Sequence, residues 1–103
     1  MNLQELHRLV EEFPIRKGKP AFASNLVQFQ ATRPEFEGDI TLVVFGLSKT
    51  IGMAPDALAN EIGEYLKEKN ANVVGYNVVK GFLNISFSQA YWLHFLSENF
   101  QVL

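Results

Sequence analysis

Apolar and polar residues alternate through residues 73–88 in two segments that meet at Lys80-Gly81. A period of two belongs to half-buried strands, and two such runs joined by a two-residue junction predict a β-hairpin. With Lys80 and Gly81 as its loop, Val79 faces Phe82, Asn77 faces Asn84 and Gly75 faces Ser86 on one side. Val78/Leu83, Tyr76/Ile85 and Val74/Phe87 pair on the other side, which is a core surface. The first side carries an aromatic ring, two amides, a hydroxyl and a glycine, an odd surface for a strand pair that needs only to be soluble.

Other periods run through the rest of the chain. Asn2 and Glu5 form a capping-box pattern, and Leu3, Leu6, Leu9, Val10 and Phe13 follow at helical spacing until Pro14 ends the helix. Residues 25–32 alternate, with Val27, Phe29 and Ala31 on the apolar side and Leu26, Gln28 and Gln30 on the other, and predict a strand stopped at Thr32-Arg33-Pro34. In residues 40–51 the β-branched content favours a strand. However, Ile40, Val43, Val44, Leu47 and Ile51 fall at i, i+3, i+4, i+7 and i+11 behind Asp39 as N-cap, and a helix closed by Gly52 is expected. Pro55 opens another helix with Leu58, Ala59, Ile62, Tyr65 and Leu66 as its buried stripe and Lys67, Lys69 and Asn70 at its end. Ser88 caps a last helix carrying Tyr91, Trp92, Phe95, Leu96 and Phe100, a stripe read as core. The expected fold class is α+β: a two-layer arrangement with a small antiparallel sheet and helices packed on one face, the other face turned to solvent or a partner.

Composition narrows the classes. Residues 1–103 make a single domain, with 48% hydrophobic and 19% charged residues and no repeat, linker or low-complexity tract. No apolar run approaches the roughly 20 residues of a membrane span, and the N-terminus lacks the pattern of a signal peptide, so no membrane partner and a cytoplasmic location are expected. The absence of cysteine excludes disulfides, thiolate-bound zinc and thiol catalysis. A net charge of -2 argues against gripping nucleic acid by bulk electrostatics, so any RNA contact must rest on local groups.

Catalytic and metal-binding patterns are not found. His7 and His94 stand alone on expected helices without a second ligand at i+3 or i+4, and Glu11, Glu12, Glu61, Glu64 and Glu68 read as solvated helix faces. Gly46-Leu-Ser-Lys-Thr50 has Ser48 where a phosphate loop needs glycine. No metal and no cofactor are expected in these residues. The basic run Arg16-Lys17-Gly18-Lys19 has two readings, a phosphate-contacting corner or a solvated connector.

Phe82, beside Asn84 and Asn77 on the outward hairpin face, has the equipment for an unstacked base: a ring to stack on and amides to read an edge. Its plainer reading is a ring folded over the turn against Val79, with the amides as solubilising groups.

Three segments in order then point to a family. Phe36-Glu-Gly-Asp39 leading into an amphipathic segment, Ala54-Pro-Asp-Ala-Leu-Ala-Asn-Glu-Ile-Gly-Glu-Tyr-Leu66, and Gly81-Phe-Leu-Asn-Ile-Ser-Phe87 together resemble the N-terminal additional domain of arginyl-tRNA synthetase over nearly the whole chain. Leu42-Val-Val-Phe45 departs from the alanine-rich version common in that family, as does the acidic net charge.

The resemblance implies a tRNA-binding module that contacts the D-loop at the outer corner of arginine tRNAs. In the parent enzyme a class I catalytic domain follows, using ATP and arginine. The His-x-Gly-His signature and the lysine loop of that catalytic domain are absent here, as is a helical anticodon-binding domain, so these residues alone are not expected to be an enzyme. The role of the family's Gly-Phe-Leu-Asn element carries to Phe82 and Asn84. Asn77, Ser86, Gln28 and Gln30 are neighbours on the same face, and Lys80, Arg16, Lys17 and Lys19 are candidate phosphate contacts. The expected partners are tRNA and the rest of the synthetase chain. The alternative is a protein-interaction module that uses an open sheet face.

Overall fold

The alternating segments form the expected hairpin in the computed structural model of the protein, which describes residues 3–91. The order of elements is α1 (Leu3–Glu12), 3-10 turns at Phe13–Lys17 and Ser24–Leu26, β1 (Phe29–Ala31), β2 (Ile40–Val43), α2 (Phe45–Ile51), α3 (Pro55–Lys69), β3 (Val73–Val79) and β4 (Phe82–Phe87). The strands form one open antiparallel sheet in the order β1-β2-β4-β3, so the chain folds as α+β.

The hairpin turn explains its own register. Lys80 and Gly81 both have positive φ, 46° and 82°, the combination of a type I′ turn, whose twist matches that of the flanking strands. Val79 consequently faces Phe82, Asn77 faces Asn84 and Gly75 faces Ser86, as the alternation predicts. The far end differs. A bulge between Val73 and Gly75 places Val73, not Val74, opposite Phe87, and leaves Val74 58% exposed on the sheet edge.

Residues 40–51 are not one helix. Ile40–Val43 is a strand between β1 and β4, and the helix begins only at Phe45. Asp39, expected as N-cap, is tied to β4 instead: its Oδ2 accepts from the Phe87 N–H at 2.8 Å, and its own N–H donates to Ile85 O at 2.8 Å. Ile40, Thr41 and Leu42 are all buried, and a strand covered on both sides has no clean alternation to separate it from a helix. Gly52 closes the shortened helix as expected.

The strand expected over 25–32 contracts to Phe29–Ala31 behind the 3-10 turn Ser24–Leu26. Val27 and Phe29 face the core and Gln28 and Gln30 face out as the alternation requires, but Ala31, expected on the apolar side, is exposed, and the turn swings Leu26 onto the core.

The helices cover the other face of the sheet. Leu58, Ala59, Ile62, Tyr65 and Leu66 of α3 are buried as expected and join Leu6, Leu9, Val10, Leu42, Leu83 and Ile85 in one core. The Tyr76 ring lies so close to α3 that a Cβ on Gly63 would stand 2.7 Å from it, and this contact requires the glycine. Pro14 stops α1 by turning the chain into the tighter 3-10 turn that Gly18 ends. Ser88 Oγ accepts from the Tyr91 N–H at 3.4 Å, and Tyr91 packs edge-on against Phe87. Asn2, Trp92, His94, Phe95, Leu96 and Phe100 lie outside the described residues. Among those described, no helix is long and apolar enough to cross a membrane.

Candidate nucleic-acid interface

The sheet registers place the outward residues in rows. Gln30, Thr41, Asn84 and Asn77 form one row across all four strands, and Val43, Phe82 and Val79 form the next toward the turn.

The first row is wired. The Thr41 hydroxyl donates to Asn84 Oδ1 at 2.6 Å, and Asn84 Nδ2 donates to Asn77 Oδ1 at 2.9 Å. Asn77 Nδ2 donates to the Glu37 carbonyl at 2.5 Å. Since the single Thr41 hydrogen goes to Asn84, the 2.9 Å contact between Thr32 and Thr41 has Thr32 as donor. The ladder therefore starts at Thr32, crosses the sheet and returns to Glu37, so that both of its ends lie in the loop of residues 32–38.

That loop lies on the sheet. Gly38 packs so closely that a Cβ there would be 3.1 Å from Asn84 Cβ, and Thr41 and Asn84 retain only 2% and 1% exposure. The sheet face expected to be open is thus covered at its centre. A buried polar group left unpartnered costs about 1–3 kcal/mol, and among the described residues no buried side-chain nitrogen or oxygen lacks a partner. Asn84 is spent inside the ladder rather than presented at the surface.

Phe82 stands at the edge of this cover, half-buried. The Arg33 guanidinium carbon lies over its ring, 5.7 Å from the centroid, and the Phe45 ring meets it edge-on at 6.0 Å and 89°. Phe45 is 45% exposed although it opens a helix, because it covers the Gly81 backbone, where any Cβ would run into the ring. Asp56 Oδ1 at the start of α3 accepts from the Gly81 N–H at 2.9 Å and fixes the turn from below. Gln30, Arg33, Phe36, Thr41, Phe82 and Asn84 line a shallow hollow here. Among the described residues Arg33 has no ion-pair partner. Lys80 and Gln28 are exposed near this corner, and Ser86 is half-buried one row further from the turn.

The basic run is elsewhere, against α2 and α3 in the helical layer. Arg16 lies 3.6 Å from Glu68 and over the Tyr65 ring at 4.9 Å, Lys17 pairs with Glu61 at 2.8 Å, and Lys19 Nζ donates to Ile51 O at 3.2 Å. The structure does not bring these cations together with Phe82. Nearby, Tyr76 donates to Glu64 at 2.8 Å, and burial together with that bond pushes its pKa up to about 12. Burial, followed by the charge of Glu12, also raises Tyr65. His7 is paired with Glu11 at 2.6 Å, and no three potential metal-ligating side chains cluster among the described residues.

Sequence reasoning passed over Arg33, Phe45, Thr41 and Thr32. Arg33 and Thr32 were visible only as a strand stop, and Thr41 and Phe45 were hidden by reading one helix through residues 40–51. The cue for Phe45 was its bulk at a position that departs from the family's pattern.

Comparison with known proteins agrees with this architecture. Residues 4–87 match the family described as the arginyl tRNA synthetase N terminal domain. The arginine–tRNA ligase of Bacteroides thetaiotaomicron is 48% identical over 73 residues, which are 71% of this chain and 12% of that enzyme. The arginine–tRNA ligase of Flavobacterium psychrophilum is 43% identical over 81 residues, 69% of this chain and 14% of the enzyme. The solved arginyl-tRNA synthetase of Thermus thermophilus superposes with a TM-score of 0.70 at 21% identity, covering 88% of this chain and 15% of the other, and shares the fold. The chain spans about one eighth of the length of the first of these relatives. By the extent of the family match and the identity of its relatives, the chain belongs to the arginyl-tRNA synthetase N-terminal domain family.

Proposed function

We propose that this domain is the tRNA-recognition module of an arginine–tRNA ligase, and that its outward sheet face contacts the D-loop at the outer corner of arginine tRNAs. The tRNA is thereby positioned for aminoacylation by a class I catalytic domain of the same enzyme, which supplies the ATP and arginine chemistry. The observation that carries this reading is Phe82, half-buried on the outward sheet face with a cation over its ring. A base can stack on such a ring in place of water, and Gln30, Lys80 and Gln28 surround the spot with polar groups able to meet an edge or a phosphate.

Stacking one base on an aromatic side chain is worth about 1–3 kcal/mol. Phe82→Ala in the full-length synthetase should therefore lower kcat/KM for arginine tRNA by about 5- to 150-fold. The rate of ATP–pyrophosphate exchange with tRNA saturating should be unchanged. Aminoacylation kinetics equal to wild type would overturn the reading.

A further inference from the structure

Resting on the reading of Phe82 as the stacking platform, we propose that Arg33 is the phosphate-contacting residue of the site, and that Thr41, Asn84 and Asn77 are positioning residues that hold it there. The ligand is one unpaired nucleotide of an RNA loop, with its base against Phe82 and its phosphate on the Arg33 guanidinium.

The geometry supports each part. Arg33 projects from the 32–38 loop to the Phe82 ring and, unlike Arg16 and Lys17, is not neutralised by a glutamate among the described residues. A planar guanidinium presents a fork of donors matched to phosphate. The loop that bears it is held at both ends by one ladder, Thr32 to Thr41 to Asn84 to Asn77 to the Glu37 carbonyl. Thr41 and Asn84, with 2% and 1% exposure under the loop, do not reach a ligand while the loop is seated. Their chemistry is to fix the loop, and through it the distance from Arg33 to the ring.

The test is the affinity of the full-length synthetase for an arginine tRNA transcript, measured against KCl concentration. Arg33→Ala should weaken binding severalfold and lower the slope of log affinity on log salt by about 0.7–1, the share of one phosphate contact. Thr41→Val, which keeps the shape but removes the hydroxyl, should lower the slope in the same way, and Thr41→Ser should restore it. The double variant Arg33→Ala/Thr41→Val should lose no more than Arg33→Ala alone, because both act through one contact.

An unchanged slope in Arg33→Ala, or losses that add in the double variant, would overturn the proposal. Should Thr41→Val not fold, Asn77→Ala opens the ladder at its partly exposed end and must meet the same criteria. If Phe82→Ala weakens binding while Arg33→Ala does not, this inference fails and the proposed function stands; if neither does, the proposed function fails.

Discussion

Among the described residues two arginines lie over aromatic rings, and their settings differ. Arg16 sits 4.9 Å from the Tyr65 centroid with Glu68 at 3.6 Å, on a ring that belongs to the core. Arg33 sits 5.7 Å from the Phe82 centroid with no carboxylate paired to it among the described residues, on a ring that is half-buried on the outward sheet face. The first pair holds its cation against α3 with a glutamate beside it; the second leaves an exposed cation over a half-buried ring. Counting cations along the sequence points to the Arg16 corner, whereas ion pairing sets Arg33 apart. What matters for a polyanion is charge that has not already been matched, and around Arg16 the glutamates of α3 have matched it.

Tyr65→Ala removes a buried ring that also packs edge-on against Phe13, and should destabilise the domain by about 3–5 kcal/mol in denaturant melts. A loss comparable to that of a surface substitution would mean that the Arg16 side is not core.

Gly63→Ala comes next. Alanine is the better helix former by about 1 kcal/mol, yet the Tyr76 ring occupies the space its methyl needs, so the variant should melt earlier by about 1–3 kcal/mol of overpacking. A stabilised variant would show that α3 can withdraw from the sheet.

Replacing Arg16 and Lys17 together by Ala should cost at most about 1 kcal/mol of stability per exposed pair and leave kcat/KM for arginine tRNA within about twofold of wild type. A large loss of tRNA use would erase the distinction drawn here.

The smallest effect is a matter of pH. The Tyr76 hydroxyl, neutral up to about 12 in the fold, titrates near 10 once unfolded. The folded state therefore holds its proton through that window, and the resulting stability is complete below pH 10 and lost as pH rises toward 12. Tyr76→Phe should flatten this decline and remove a late phenolate step from an ultraviolet titration.

The sequence made some of this legible for definite reasons. Lys80-Gly81 between two alternating runs fixed the hairpin, because a two-residue turn leaves the register little freedom. Pro55 and the Leu58 to Leu66 stripe fixed α3. Residues 40–43 were missed because Thr41, the one polar residue among them, is itself buried, so that burial on both faces hid the period. The bulge at Val74 was missed because alternation carries no mark of an inserted residue. At the site, Phe82 was visible as an apolar residue on a polar face. Arg33 was not, because what brings it to Phe82 is a loop folded across the sheet, and the hydrogen bonds that fold it there join residues remote in sequence.

The strand order has a consequence for how the domain comes into being. The β3–β4 turn joins neighbours and can close within about 1–10 μs, the time of an isolated hairpin. The pairing of β2 with β4 must wait, since Thr41 and Asn84 are 43 positions apart and α2 and α3 lie between them. Until β2 arrives, one edge of β4 is an unsatisfied template beside Leu83 and Ile85, open to a strand from another nascent chain. In the folded domain β2 covers that edge, and the Thr41–Asn84 bond ties the two strands across it.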